Sequence, residues 1–340
     1  MRLRPALIAA LLLAAGAASA SPRVDLYVSV GTEAGVEVRG RAIDDRGVEQ
    51  KKPASDKLHR LGRNLERMLA AGLEHRKVTV TVEGKSLTVE TDEEGRLFAQ
   101  FTGLAPGVHQ VAARLADGSG KGKGKLLIAS PGAPIVISDL DDTLVHTHVT
   151  DGKKLVEAAL FEDGKSQEPV AGMSALLGCL RRGPGGGGPE ATVHYLSGSP
   201  LAFYSRIVDF LSRVNAPLGE VLLRNYGLGK DDDSLDGYAY KLGKAPAILA
   251  ARPAASVVLV GDSGEKDPEV YRELARLAPG RVRGIYIRLV DGGKNDDAAR
   301  FEGQLPFHSP REAASDATKR GLVDAACVAQ VEAALAAPAK

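Results

Sequence analysis

The feature that most constrains this chain is an apolar run that breaks off into acid. Ile135-Val136-Ile137 follows Pro131 and Pro134 and leads directly into Asp139-Leu140-Asp141-Asp142-Thr143. A short β-branched run with no polar alternation predicts a strand buried on both faces, as in a parallel sheet covered by helices. In open α/β sheets the carboxyl ends of the strands border the ligand crevice. Asp139 and Asp141, two positions apart, are therefore expected to share one opening. The first is placed to act as nucleophile or metal ligand, the second as proton donor.

With 340 residues the chain can form two domains, each with its own core. Its start carries Arg2 and Arg4, then an apolar run from Ala6 to Ala15, then Ala18-Ser19-Ala20. This is the pattern of a secretory signal peptide over 1–20, and the expected location is secreted or periplasmic. The run is shorter than the ~20 apolar residues that span a bilayer, although an uncleaved N-terminal anchor is the alternative. No other long apolar run follows, so no transmembrane segment is expected in the mature chain. Cleavage would remove two arginines and no acid, shifting the formal charge from +1 to −1. Such a balance gives no global attraction to nucleic acid. Cys179 and Cys327 are the only cysteines. They can pair in an oxidising compartment, but two buried thiols is the expectation taken.

Residues 21–129 are expected to form a small β-sandwich. Val36–Arg41 and Val78–Glu83 alternate apolar and polar side chains, and Leu87–Glu90, Leu97–Phe101 and His109–Ala113 continue the pattern. Leu58, Leu61, Leu65, Met68 and Leu69 mark a helical insert. Asp117 to Lys125, with three lysines among glycines, is expected to be a solvated turn. A linker, a basic loop touching lipid headgroups and a hairpin tip are its other readings. From 130 to 292 strands and helices alternate. Strands are predicted at Ile135–Ser138, Thr192–Leu196, Glu220–Leu223, Val257–Val260 and Val282–Ile287, with helices at Ala202–Val214, Lys241–Ala251 and Glu269–Leu277. The alternation predicts a three-layer, Rossmann-like α/β domain with a parallel sheet. Gly183 to Pro189 lacks the Gly-Lys-Ser/Thr ending of a phosphate loop and is expected to be a connector. The tail, 293–340, shows one helix from Leu322 to Ala336 and no site.

Four segments of the α/β region place polar side chains at strand ends or helix starts. After Asp139 and Asp141 come Ser197-Gly198-Ser199-Pro200, Lys241, and Gly261-Asp262-Ser263-Gly264. Cleaving a phosphate ester needs an aligned nucleophile, neutralised phosphate oxygens and a protonated leaving group. Asp139 can attack phosphorus, and Asp141 can protonate the alkoxide and then activate water. Ser197 and the amides behind it can hold phosphate oxygens at a helix start. Lys241 supplies a cation. Crowded carboxylates repel one another and the substrate. A hard divalent cation relieves both, and Mg²⁺ suits oxygen ligands such as Asp139 and Asp262.

This set resembles the haloacid dehalogenase superfamily. His194 to Pro200, Leu222 to Gly227, Tyr240 to Lys244, Val260 to Tyr271 and Pro169 to Met173 are similar to the catalytic domain of the actin-patch-associated, lipin-related phosphatidate phosphatases. The resemblance extends over about Val24 to Leu289 and implies a haloacid dehalogenase-like fold; the stretch between the first two motifs reads as helices rather than a folded lid, so a minimal cap is expected. It implies Asp139 as nucleophile, Asp141 as acid/base, Thr143, Ser197, Gly198 and Lys241 as phosphate ligands, and Asp139, Asp141 and Asp262 around Mg²⁺. Asp142 stands where many superfamily members carry Gly, and Asn225 replaces the acid expected after Arg224. The implied activity is phosphoric monoester hydrolysis, converting phosphatidate at a membrane surface into diacylglycerol.

Milder readings stand beside these. A calcium loop wants Gly and Glu where Leu144 and Thr150 stand. Asp267 before Pro268 is a good helix start, and a place near the metal is as well supported. Lys244 competes with Lys241. His146 and His148 read as cap or surface residues, and Arg224 can simply pair with a carboxylate. A soluble phosphomonoester, phosphoprotein or polyphosphate remains an alternative substrate, and a non-catalytic lipid- or partner-binding module an alternative function.

Overall fold

A computed structural model describes residues 22–44, 72–146, 167–185, 187–225 and 236–337. The expected signal peptide, the helical insert around Leu58 to Leu69, and His148 lie outside them. Density of internal contacts divides the chain into two units, one of 1–26, 39–99 and 111–124, the other of 27–38, 100–110 and 125–340.

The β-rich region holds β1 (Pro22–Leu26), β2 (Ser29–Gly31), β3 (Val36–Asp44), β4 (Lys77–Val82), β5 (Lys85–Glu90), β6 (Arg96–Phe101), β7 (Gly107–Leu115) and β8 (Lys121–Ile128). They form a three-stranded sheet, β1-β3-β6, and a five-stranded sheet, β2-β8-β7-β4-β5. Along β7 buried and exposed residues alternate, as half-buried strands require. The lysine–glycine segment divides: its start lies in the turn between β7 and β8, as the hairpin-tip reading had it, while Lys121–Lys125 is strand rather than solvated turn. Its lysines are exposed while its glycines face β1. A Cβ at Gly122 would collide with the Val24 carbonyl, and one at Gly124 would stand 2.7 Å from the Leu26 Cβ. The glycines are there to let two backbones approach.

The second unit contains β9 (Ile135–Ser138), α1 (Met173–Arg182), β10 (Thr192–Pro200), α2 (Tyr204–Arg213), β11 (Gly219–Arg224), α3 (Gly237–Ala251), β12 (Val257–Asp262), α4 (Asp267–Leu277), β13 (Val282–Arg288), β14 (Leu305–Phe307), α5 (Pro310–Lys319) and α6 (Ala326–Ala336). Its six strands run parallel in the order β11-β10-β9-β12-β13-β14. Alternate strand residues enter separate cores. Val136, Val193 and Val260 meet α1, α2, α5 and α6 on one face. Ile135, Ile137 and Leu259 meet α3 and α4 on the other. The α/β expectation for this region therefore holds, with helices on both faces of a parallel sheet. Across β10 and β11, buried His194 Nδ1 lies 2.8 Å from the Glu220 carboxylate.

Strand order places the crevice. From β9 the chain builds outward through β10 to β11, then returns to add β12, β13 and β14 on the opposite side. The carboxyl ends of β9 and β12 therefore flank a topological switch point, where α/β sheets open a ligand crevice.

The tail is richer than its sequence suggested. β14 extends the sheet, and α5 opens with a capping box between Ser309 and Glu312. The thiol expectation is also corrected. Cys179 of α1 and Cys327 of α6 form a disulfide with Cα atoms 5.8 Å apart, because both helices cover the same face of the sheet. Closing a loop of sequence separation 148 restricts the unfolded chain by up to about 5 kcal/mol. Cys179→Ser/Cys327→Ser is expected to melt roughly 5–10 °C lower than the parent. Titration of the denatured, unreduced parent should find no free thiol; two thiols would contradict the pairing.

Candidate active site

Asp139 begins where β9 ends. Its amide donates to the Val260 carbonyl (2.9 Å), continuing the ladder with β12. Asp262 closes β12, so adjacent strands deliver both carboxylates to the switch point. Asp267, the first residue of α4, joins them, and ligand atoms of Asp139, Asp262 and Asp267 all lie within 4.8 Å of one another. Asp267 can sit beneath the strand because residue 261 is glycine; a Cβ there would run into the Asp267 carboxylate.

Lys241, from the second turn of α3, is 2% exposed. Its Nζ donates to Asp139 Oδ1 (2.7 Å) and to Asp267 Oδ1, and lies 3.9 Å from Glu265. Lys244 instead lies with its Nζ 5.8 Å above the Tyr240 ring, on its own helix. The second oxygen of Asp267 accepts the Asp262 amide (3.2 Å), so both its oxygens are engaged. Asp262 Oδ1 accepts the amides of Gly264 (2.7 Å) and Glu265 (3.3 Å). Oδ2 of Asp139 and Oδ2 of Asp262 are buried with no hydrogen-bond partner.

One ammonium does not balance three buried carboxylates. Burial, then Asp267 and Asp262, raise Asp139 well above the usual carboxylate range against the pull of Lys241. Burial and Asp267 do the same to Asp262. Asp267 is raised chiefly by burial. Burial works against the charged form of Lys241, but Asp139 and Asp267 outweigh it and hold that ammonium well above its ordinary value.

The carboxylate of Asp141 points elsewhere than the metal set expected for it. Its Oδ2 accepts the Ser197 hydroxyl (2.6 Å) and the Ser199 hydroxyl (3.2 Å). It is thus oriented by two serines rather than gathered with Asp139, Asp262 and Asp267. Burial raises its pKa, with the Ser197 hydrogen bond opposing. Between the two acids the backbone turns at Asp142, whose φ of 51° lies in the left-handed region. Gly relaxes there and Asp is among the residues that tolerate it, which accounts for the exchange of Gly for Asp at this position. Arg288 Nη1 donates to the Asp142 carbonyl (2.6 Å). Thr143 is buried and its Oγ1 has no hydrogen-bond partner. Gly198 lies against Arg224; a Cβ there would stand 2.9 Å from that guanidinium. Arg224 also stacks 5.2 Å above the Tyr240 ring.

One contributor escaped the sequence. Arg300, in a 3₁₀ turn at Ala298–Phe301, is 7% exposed and donates into the loop between Asp262 and Asp267. Phe301, buried beside it, was the available signal: an aromatic anchor next to a charged residue in an otherwise polar tail.

Unfolded aspartates titrate near about 3.9. Folded values above this mean that the stability these groups provide is present below that pH and declines as pH rises through the folded values. In EDTA, Asp262→Asn is expected to gain on the parent in melting temperature from pH 4 to 8; parallel curves would contradict the shift. Lys241→Met leaves buried carboxylates without their cation and should cost about 3–5 kcal/mol near neutrality. Denaturant melts should show a smaller loss at pH 5.

The family model for "Phosphatidate phosphatase APP1, catalytic domain" matches residues 134–289. An uncharacterised protein of Schizosaccharomyces pombe is 27% identical over 154 residues, 45% of this chain and 24% of that protein. Phosphatidate phosphatase APP1 of Saccharomyces cerevisiae is 27% identical over 162 residues, 47% of this chain and 27% of that protein. The chain thus spans about a quarter of the length of the curated relatives it matches. A carbohydrate acetylesterase from Xanthomonas citri aligns with 79% of this chain and 68% of its own at 12% identity, with a TM-score of 0.30. Residues 134–289, which hold Asp139, Lys241 and Asp262, are thus similar to the catalytic domain of the APP1 phosphatidate phosphatases.

Proposed function

We propose that the chain is a secreted or periplasmic Mg²⁺-dependent phosphatase with an aspartate nucleophile, acting on phosphatidate to give diacylglycerol and phosphate. The observation that carries this reading is the meeting of Asp139 and Asp262 at the switch point, each with one buried oxygen free of hydrogen bonds. Nucleophile on a central parallel strand and acid two residues later is the haloacid dehalogenase arrangement. The family match over residues 134–289 supports phosphate-ester hydrolysis, and the yeast relative's name points to phosphatidate.

The residues fit a hard divalent cation. The converging donors are all carboxylate oxygens, two of them lack partners, and the cluster holds more negative charge than Lys241 offsets. Asp139 and Asp262 would hold the ion, with Asp267 fixed behind them by Lys241 and the Asp262 amide. Mg²⁺ would supply charge neutralisation on the phosphate oxygens.

In the first half-reaction an Asp139 oxygen bonds to phosphorus while the ester P–O bond breaks. The departing alkoxide takes its proton from Asp141, which burial keeps protonated to higher pH than an ordinary aspartate. In the second, Asp141 takes a proton from water as the water oxygen bonds to phosphorus, releasing inorganic phosphate and free Asp139. Ser197 and Ser199 hold Asp141 in place between the two steps. Thr143 Oγ1, the Gly198 amide and Lys241 are the donors assigned to phosphate oxygens, while the Ser197 hydroxyl, expected among them, donates to Asp141 instead. Among the described residues no helix is long and apolar enough to cross a membrane. The secretory start and the disulfide support an oxidising compartment.

The test is phosphate release from phosphatidate in mixed micelles, with Mg²⁺ and with EDTA. Asp139→Asn is expected to lower kcat at least about 10³-fold. Undiminished release by that variant, or by the parent in EDTA, defeats the mechanism. Turnover of soluble phosphomonoesters alone defeats only the substrate.

A further inference from the structure

We infer that Arg300 is a positioning residue for the metal-binding carboxylate of Asp262, acting through one peptide plane. The inference rests on the metal-dependent reading of the site.

Arg300 lies eleven positions beyond the end of the family match at 289. Its guanidinium is spent on one short stretch of chain. Nη1 donates to the Ser263 carbonyl (2.6 Å) and Nη2 to the Glu265 carbonyl, while Nε and Nη2 reach the two oxygens of Glu269 (2.9 and 3.1 Å). The Ser263 carbonyl and the Gly264 N–H belong to the same peptide group. A trans peptide is planar, with C=O and N–H on opposite sides. Drawing that oxygen toward Arg300 therefore turns the Gly264 N–H the other way, toward Asp262 Oδ1, which it meets at 2.7 Å. The Glu265 amide adds a second, longer bond to the same oxygen. With Oδ1 held by amides, Oδ2 is left as the oxygen without a partner. Arg300 in this way decides which oxygen of Asp262 is presented.

The guanidinium is itself anchored. Phe301 is buried in the core under α3 and α4, and Asp297 caps the 3₁₀ turn by accepting the Ala299 amide (3.1 Å). Arg272 of α4 donates to the carbonyls of Ala299 (2.9 Å) and Arg300 (2.6 Å). Gln304 donates to the Pro268 carbonyl (2.7 Å). Burial alone would raise Glu269, but the Arg300 hydrogen bonds, with a backbone hydrogen bond and the charges of Arg300 and Lys266, outweigh it and lower its pKa. Only a planar, multi-donor group can satisfy two carbonyls and a carboxylate together.

The experiment is Mg²⁺ titration of the full chain by calorimetry, without substrate, alongside thermal melts. Loss of a residue that orients a metal ligand typically weakens binding about 10–100-fold, and Arg300→Met is expected to fall in that range. Glu269→Gln removes the charge partner but leaves the carbonyl bonds, so it should lower the melting temperature with Mg²⁺ affinity changed less than about twofold. Should Arg300→Met not fold, Arg300→Lys carries the test, because one ammonium cannot span both carbonyls and Glu269; its affinity should drop at least about threefold. A folded Met or Lys variant with parental Mg²⁺ affinity overturns the inference while the metal site stands. Absence of Mg²⁺ binding by the parent sinks the metal-dependent reading and takes this inference with it.

Discussion

The contact between Lys241 and the carboxylates of Asp139 and Asp267 is the constraint around which this unit is arranged. Breaking such a buried pair is far more costly than its net worth suggests, since it strands the remaining charges out of water. Everything that brings it together is fold: two neighbouring parallel strands, a helix arriving from the opposite side of the switch point, and a glycine that lets α4 start directly beneath β12. The charge left over defines the chemistry. An uncompensated buried anion asks for either a proton or a cation, and the candidate site has room in its hydrogen bonding for the second.

Much of this was legible in the sequence because burial on both faces of a parallel strand leaves an unmistakable text. Ile135-Val136-Ile137 and Val257 to Val260 read as inner strands, and the acids that end them were expected to share an opening. Ser197 and Lys241 followed from their places after a strand and at a helix. Lys241 could be told from Lys244 only by geometry, since both sit near the start of one helix. Asp267 posed a different difficulty: before Pro268 it looks like a helix cap, and its approach to Lys241 depends on the missing side chain at Gly261.

Other misreadings share one cause. Glycine-rich and polar text was taken as loop, whereas residue composition there answers to a neighbour that local pattern does not reveal. Lys121 to Lys125 alternates because one side of the strand faces water and the other meets the backbone of β1. The tail after 292 has few large apolar residues, yet it supplies a strand, two helices and Arg300. Small alanines suffice for α5 because Ala313, Ala314 and Ala317 pack flush against a sheet. Arg300 is invisible to motif spacing because it works on carbonyls, which every sequence has.

The covalent link between α1 and α6 has a bearing on the order in which the molecule is completed. Its first sulfur leaves the ribosome long before the second, so the bond cannot close until residue 327 has been synthesised. The intervening text includes every strand of the parallel sheet except β9, and with them Lys241, Asp262 and Arg300. A chain interrupted after β14 but before residue 327 would carry each of those groups and still lack its clasp, leaving Cys179 without its partner.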